Sequence, residues 1–197
     1  MAFLPDDLHA LAQRHHDEPH RGYHGWSHPQ ALLALADKIT EDLCDPVAVE
    51  AAILFHDAIY DPRASDNERR SAELADRVLA GHISDASRAR AVRLIDATAR
   101  HAIPDDLPED EIEDMARFLD LDLSILGAPA QDFDAYEAGV RHEYAHIPAA
   151  VFAQGRAAIL RRFLERDRLY LSDWGLERFE AAARANLRRS INALEAG

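Results

Sequence analysis

Apolar positions recur along the chain at three- and four-residue steps, and short alternating apolar runs are absent, so the pattern predicts helices throughout and no strand. Ser27 reads as the N-cap of a helix running to about Glu41. Asp45-Pro46 reads as a cap followed by proline at the first helical position, opening a helix towards Tyr60 that Pro62 ends. Further helices are expected over about 67–80, 85–101, 110–126, 131–146, 148–167 and 175–194. In the last, Leu176, Phe179, Ala183, Leu187, Ile191 and Leu194 form one apolar stripe, the mark of a helix docked by a single face. Ile53-Leu54-Phe55 has little polar character before His56-Asp57, which places that segment centrally in a bundle. Burying an imidazole and a carboxylate there is costly unless they are paired or ligate a metal. The acidic stretch 104–114 reads as a solvated connection.

The 197 residues, 48% hydrophobic and without repeat or linker, suit one all-α domain over 1–197. A formal charge of −14 excludes a nucleic-acid binder that works by neutralising many phosphates, because such a surface repels the backbone. A small anionic substrate stays compatible if a metal and a few arginines reverse the local field. Lys38 is the single lysine among 22 cationic residues, so nearly all positive charge is guanidinium, which suits bidentate phosphate contacts. Cys44, the lone cysteine, excludes an intramolecular disulfide and a cysteine-rich zinc site. No basic leader precedes an apolar run, and no segment approaches the roughly 18–20 apolar residues of a membrane span. The expectation is a soluble, cytoplasmic protein with no membrane partner. Trp174 and Tyr170-Leu171 suit a homodimer interface or core packing equally well.

Candidate chemistry lies in Tyr23-His24-Gly25-Trp26-Ser27-His28, Phe55-His56-Asp57-Ala58-Ile59-Tyr60-Asp61 and Phe118-Leu119-Asp120-Leu121-Asp122-Leu123. Imidazole nitrogen and carboxylate oxygen are ligands for one divalent ion of the Mn, Mg, Co, Ni, Fe or Zn kind. Adjacent residues on a helix point about 100° apart, so His56 and Asp57 can converge on an ion at their shared edge. Asp120 and Asp122 stand about 200° apart, so only one of them can face such an ion.

These motifs resemble the HD superfamily, whose members have an α-helical core and hold a divalent metal with a His, a His-Asp doublet and a later Asp. The resemblance assigns those positions to His28, His56 with Asp57, and Asp122, which precedes a hydrophobic segment as the family ligand does. A bacterial group of metal-dependent HD phosphohydrolases is similar in more detail. It matches at Arg21-x-Tyr23-His24-x3-His28, His56-Asp57-x2-Tyr60-Asp61, Asn67-Glu68-x2-Ser71-Ala72, Leu119-Asp120-x-Asp122-Leu123-x-Ile125-Leu126-Gly127, Arg141-x-Glu143-Tyr144 and Ala183-Arg184-x-Asn186-Leu187.

The resemblance implies an HD helical bundle with a metal-binding core over about 21–126, on which helices over about 131–195 pack. It also implies a metal-activated water acting on a small phosphoester or nucleotide. Asp61, four residues after Asp57, is expected one turn along the same helical face, where it would take the water's proton, with Glu68 as second candidate. His101 lines the site or caps a helix C-terminus. Arg21 is the expected phosphate clamp, with His24, Asn67, Arg141 and Arg184 as further substrate contacts. HD relatives that hydrolyse guanosine tetraphosphate carry an acidic residue where this chain has Tyr60, a departure that counts against that substrate. Two other readings of an HD chain are a di-iron oxygenase, which needs further ligands such as His24 and His101, and a non-catalytic nucleotide-sensing module.

Overall fold

The computed structural model describes residues 2–196, and the elements among them are helical. In chain order they are α1 (Asp6–His16), α2 (Ser27–Ala36), α3 (Pro46–Phe55), α4 (Asn67–Leu79), α5 (Asp85–Ala97), α6 (Glu109–Asp122), α7 (Ala130–Glu143), α8 (Ala149–Leu164) and α9 (Asp173–Ala196). Two 3-10 stretches, Asp37–Asp42 and Leu123–Gly127, prolong α2 and α6. The all-α expectation holds. No helix among the described residues is long and apolar enough to cross a membrane.

The hub is α3. Asp45 caps it by accepting the Ala48 amide, Pro46 sits in its first turn, and Ala48 through Phe55 are buried without a break. A helix apolar on every side must be surrounded, and α1, α2, α4, α5 and α6 pack around this one. A second apolar cluster joins Leu126, from the 3-10 stretch after α6, to Phe133, Leu160, Phe179, Leu187 and Ile191 of α7, α8 and α9 and to Tyr170 of the loop between the last two. Trp174 packs against both clusters, and Tyr170 is wholly buried, so these aromatics belong to the core. Along α9, the expected stripe buries Phe179, Ala183, Leu187 and Ile191 and leaves Leu176 and Leu194 half-buried at its ends.

Several expected boundaries move. The N-terminal helix α1 was not among the expected elements, although Asp6 and Asp7 load its first turn and Leu8 and Ala12 bury its inner face. Ser27 is the first helical residue, and no side chain caps α2. Only the start of the 104–114 stretch is a connection, because α6 begins at Glu109 and buries Glu111 and Asp114. Most consequentially, α3 ends at Phe55 and not at Tyr60. Its last carbonyls have partners that a continuing helix would displace: His56 Nδ1 donates to Ile53 O at 3.0 Å, and the His16 ring reaches Leu54 O at 3.2 Å. The next carbonyls, of Asp57 and Ala58, accept from the Arg21 guanidinium at 2.6 and 3.1 Å.

Candidate metal centre

The turn at the end of α3 places His56 and Asp57 beside His28 from the first turn of α2 and Asp122 from the end of α6. His28 Nε2 lies 3.1 Å from His56 Nε2 and 3.2 Å from Asp122 Oδ1. His56 Nε2 lies 3.2 Å from Asp57 Oδ2 and 3.4 Å from Asp122 Oδ1, and His28 Nε2 lies 3.8 Å from Asp57 Oδ2. Donors that share one ion at about 2.0–2.2 Å stand roughly 3.0–3.5 Å apart when adjacent around it. His28, His56 and Asp122 therefore form a group that could hold a metal ion, their ligand atoms all within 4.8 Å of one another.

The hydrogen bonding of His56 suits a metal ligand, and its charge shows what a metal would replace. Because His56 Nδ1 must donate to the Ile53 carbonyl, a neutral His56 ring presents the Nε2 lone pair to the cluster, as a metal-binding imidazole does when its other nitrogen is held by a carbonyl. Burial works against charge at His56, yet the Asp57 and Asp122 carboxylates outweigh it and hold the ring's pKa well above the ordinary imidazole value. In return the His56 charge overcomes burial at both carboxylates and keeps them below their usual range. At His28 burial wins, and its pKa falls. Two half-buried carboxylates facing two buried imidazoles favour a cation between them, which a proton on His56 or a metal ion can supply.

Asp120 does not belong to this group. Its carboxylate accepts the Leu171 and Ser172 amides at 2.7 and 2.8 Å and the Ser172 hydroxyl at 2.5 Å, on the side of α6 that meets the start of α9. The opposed directions expected of Asp120 and Asp122 are realised.

His101 Nε2 reaches Asp122 Oδ2 at 2.8 Å, so His101 stands beside the cluster. It is not a cap of α5, which ends at Ala97 with Thr98 in the C-cap position. Its φ of 45° puts a non-glycine residue in the left-handed region, a strained conformation of the kind found at functional sites.

His24 is held by Glu143, the last residue of α7. Glu143 Oε1 accepts three successive amides, of Gly22, Tyr23 and His24, at 2.8–2.9 Å, while Oε2 accepts from the Tyr60 hydroxyl at 2.9 Å and meets His24 Nδ1 at 2.8 Å. This close approach of loop and helix needs glycine on both sides, since a Cβ on Gly22 would collide with the Gly139 carbonyl. Burial opposes the charge at each partner but loses: His24 is raised, chiefly by Asp57 and Glu143, and Glu143 falls from 4.5 to about 2 through its contacts with His24 and Tyr60.

The remaining expected residues divide. Glu68 and Asn67, in the first turn of α4, line the same cavity as His24, Asp57, His101 and Asp122. Asp61 is exposed and turned to the chain itself, accepting the Arg63 amide at 2.9 Å, while Asn67 bonds its backbone. The single helical face that was to carry Asp57 and Asp61 does not exist, because α3 has already ended.

All three arginines expected at the substrate are engaged elsewhere. Arg21 spends its guanidinium on Glu18 and on the carbonyls of His24, Asp57 and Ala58. Arg141 closes the exit of α7 through the carbonyls of Tyr144 and Ile147. Arg184 ties Glu180 to the carbonyls of Leu164, Arg166 and Asp167, between α8 and α9. The arginine that does line the cavity is Arg156, paired with Glu137 and the Tyr136 hydroxyl, and nothing in its sequence context marked it. Glu143 and Tyr60 stood inside quoted motifs without a role.

No protein-family model, characterised protein or solved structure matches the chain.

Proposed function

We propose that the protein is a metal-dependent phosphohydrolase acting on a small phosphoester. One observation carries this reading: His28, His56, Asp57 and Asp122, from three separate elements, converge with donor spacings of 3.1–3.8 Å, and Asp57 and Asp122 of this group line a cavity. The resemblance of the same four positions to the HD ligand set supports it. A divalent ion held there supplies Lewis acidity, offsetting phosphate charge and acidifying water.

The chain's own groups then divide the proton work. Glu68, at the cavity wall, takes the proton of the attacking water; Asp61 lacks the position for that role. His24, with Nδ1 committed to Glu143 and a raised pKa, presents Nε2 to protonate the departing alcohol oxygen. In balance, a P–O bond forms to water and the ester P–O bond breaks, giving inorganic phosphate and the free alcohol. His101 steadies Asp122 through its 2.8 Å contact.

Phosphate release from a panel of phosphoesters, measured with Mn, Mg, Co and Ni in turn and with Asp57→Ala as the blank, tests this. The reading expects metal-dependent turnover in the native chain and none in the blank. Metal bound at one ion per chain with no ester hydrolysed would overturn it, and two irons per chain with oxygen uptake would replace it by an oxygenase.

A further inference from the structure

The cavity over the metal centre, about 570 Å³, falls in the range of roughly 300–1,000 Å³ usual for small-molecule sites. Its lining is of two kinds. His24, Asp57, Glu68, His101 and Asp122 supply polar groups, while the apolar face of α8 supplies Val151, Phe152, Ile159 and Phe163, joined by Val140 and Ile147. Val151 is 59% exposed and Ile159 45%, two of only four large hydrophobic residues left exposed among the described residues. Both face the same cavity. Between Phe152 and Ile159 on that face stands Gly155, where an added Cβ would meet nothing within 4 Å. Glycine inside a helix costs about 0.5–1 kcal/mol relative to alanine, and here it leaves open volume beside the stripe.

Charge narrows what can fill this space. The cations at the wall are already paired, Arg156 with Glu137 and His24 with Glu143. Three carboxylates, Asp57, Glu68 and Asp122, line the same cavity, so one divalent ion leaves no positive charge to spare for a second or third phosphate.

From this we infer that the substrate is the monophosphate ester of an apolar alcohol, its phosphate at the His-Asp cluster and its alkyl or aryl body along α8, with Gly155 setting how large that body can be. The inference rests on the phosphohydrolase reading and narrows it.

Steady-state phosphate release from butyl, hexyl and octyl phosphate, glycerol 1-phosphate, a nucleoside monophosphate and a nucleoside triphosphate, all with Mn, tests it. KM should fall about two- to fourfold for each added methylene, as expected when a methylene leaves water. The triphosphate should be the poorest substrate. Gly155→Leu, which fills the gap and favours the helix, should raise the ratio of octyl to glycerol phosphate KM at least tenfold, and Ile159→Asp should do the same by wetting the wall. Equal KM along the alkyl series, preference for the triphosphate, or an unmoved ratio in both variants would overturn the inference while hydrolysis itself stood. Failure to hydrolyse any ester with metal bound would remove the phosphohydrolase reading and this inference with it.

Discussion

Asp120 and Asp122 are two residues apart on one helix, the first buried and the second half-buried, and they do opposite things. Asp120 meets the fixed amides of Leu171 and Ser172, and Asp122 meets the imidazoles of His28, His56 and His101. The contrast extends through the molecule. Glu50 receives the amides of Phe3 and Leu4 besides the His9 ring, Asp114 those of Cys44 and Asp45, and Glu143 those of residues 22–24 besides the His24 ring. Backbone amides carry no exchangeable charge, so these acids tie distant loops to helices. Imidazoles can lose a proton and offer a lone pair in its place, so Asp57 and Asp122 sit where one cation can replace another.

The largest expected effect separates the two kinds directly. His56→Ala or Asp122→Ala should weaken divalent metal binding at least 100-fold in calorimetric titration. Asp120→Ala should leave metal affinity within about threefold and instead lower stability.

Next in size are the loop-tying acids. Glu143→Ala strands three amides, an imidazole and a hydroxyl, and should cost about 3–5 kcal/mol in urea unfolding. Glu143→Gln should recover part of that.

The same carboxylate predicts a pH dependence. Its pKa is depressed in the folded chain, from 4.5 to about 2, so its charge stabilises fully above pH 4.5 and that stabilisation is lost as pH falls towards 2. The loss is on the order of 3 kcal/mol, and unfolding curves of Glu143→Gln over the same window should show a correspondingly flatter slope.

The smallest effect concerns Asp61. Its exposed carboxylate bonds only a nearby amide, so Asp61→Asn should change turnover less than about threefold, whereas Glu68→Gln should lower kcat by about 100-fold or more.

Residue type and spacing carried the opposed faces of Asp120 and Asp122, because a helix turns by a constant angle per residue, whereas the grouping of His28, His56 and Asp122 was marked by the resemblance to the HD pattern. Asp45-Pro46 marked the start of α3 for an equally local reason. The end of α3 was not legible, since it depends on side chains of His16 and Arg21 that arrive from other parts of the chain to take its carbonyls. That missed boundary carried Asp61 onto a face it does not occupy. The arginines misled for a related reason: guanidinium groups bind backbone carbonyls as readily as phosphate, and only the tertiary arrangement shows which partner each one has. Arg156 gave no signal, and the role of Glu143 as the anchor of the His24 loop rests on a contact between residues far apart in sequence.

Titration of the metal-stripped protein with Mn or Zn, reading heat and proton release together, tests the central claim most directly. One ion per chain should bind, with protons released from the cluster, and Asp122→Ala should bind none at the same concentrations while Asp120→Ala still does. Equal binding by native protein and Asp122→Ala, or no binding by the native chain, would contradict the placement of a metal among His28, His56, Asp57 and Asp122.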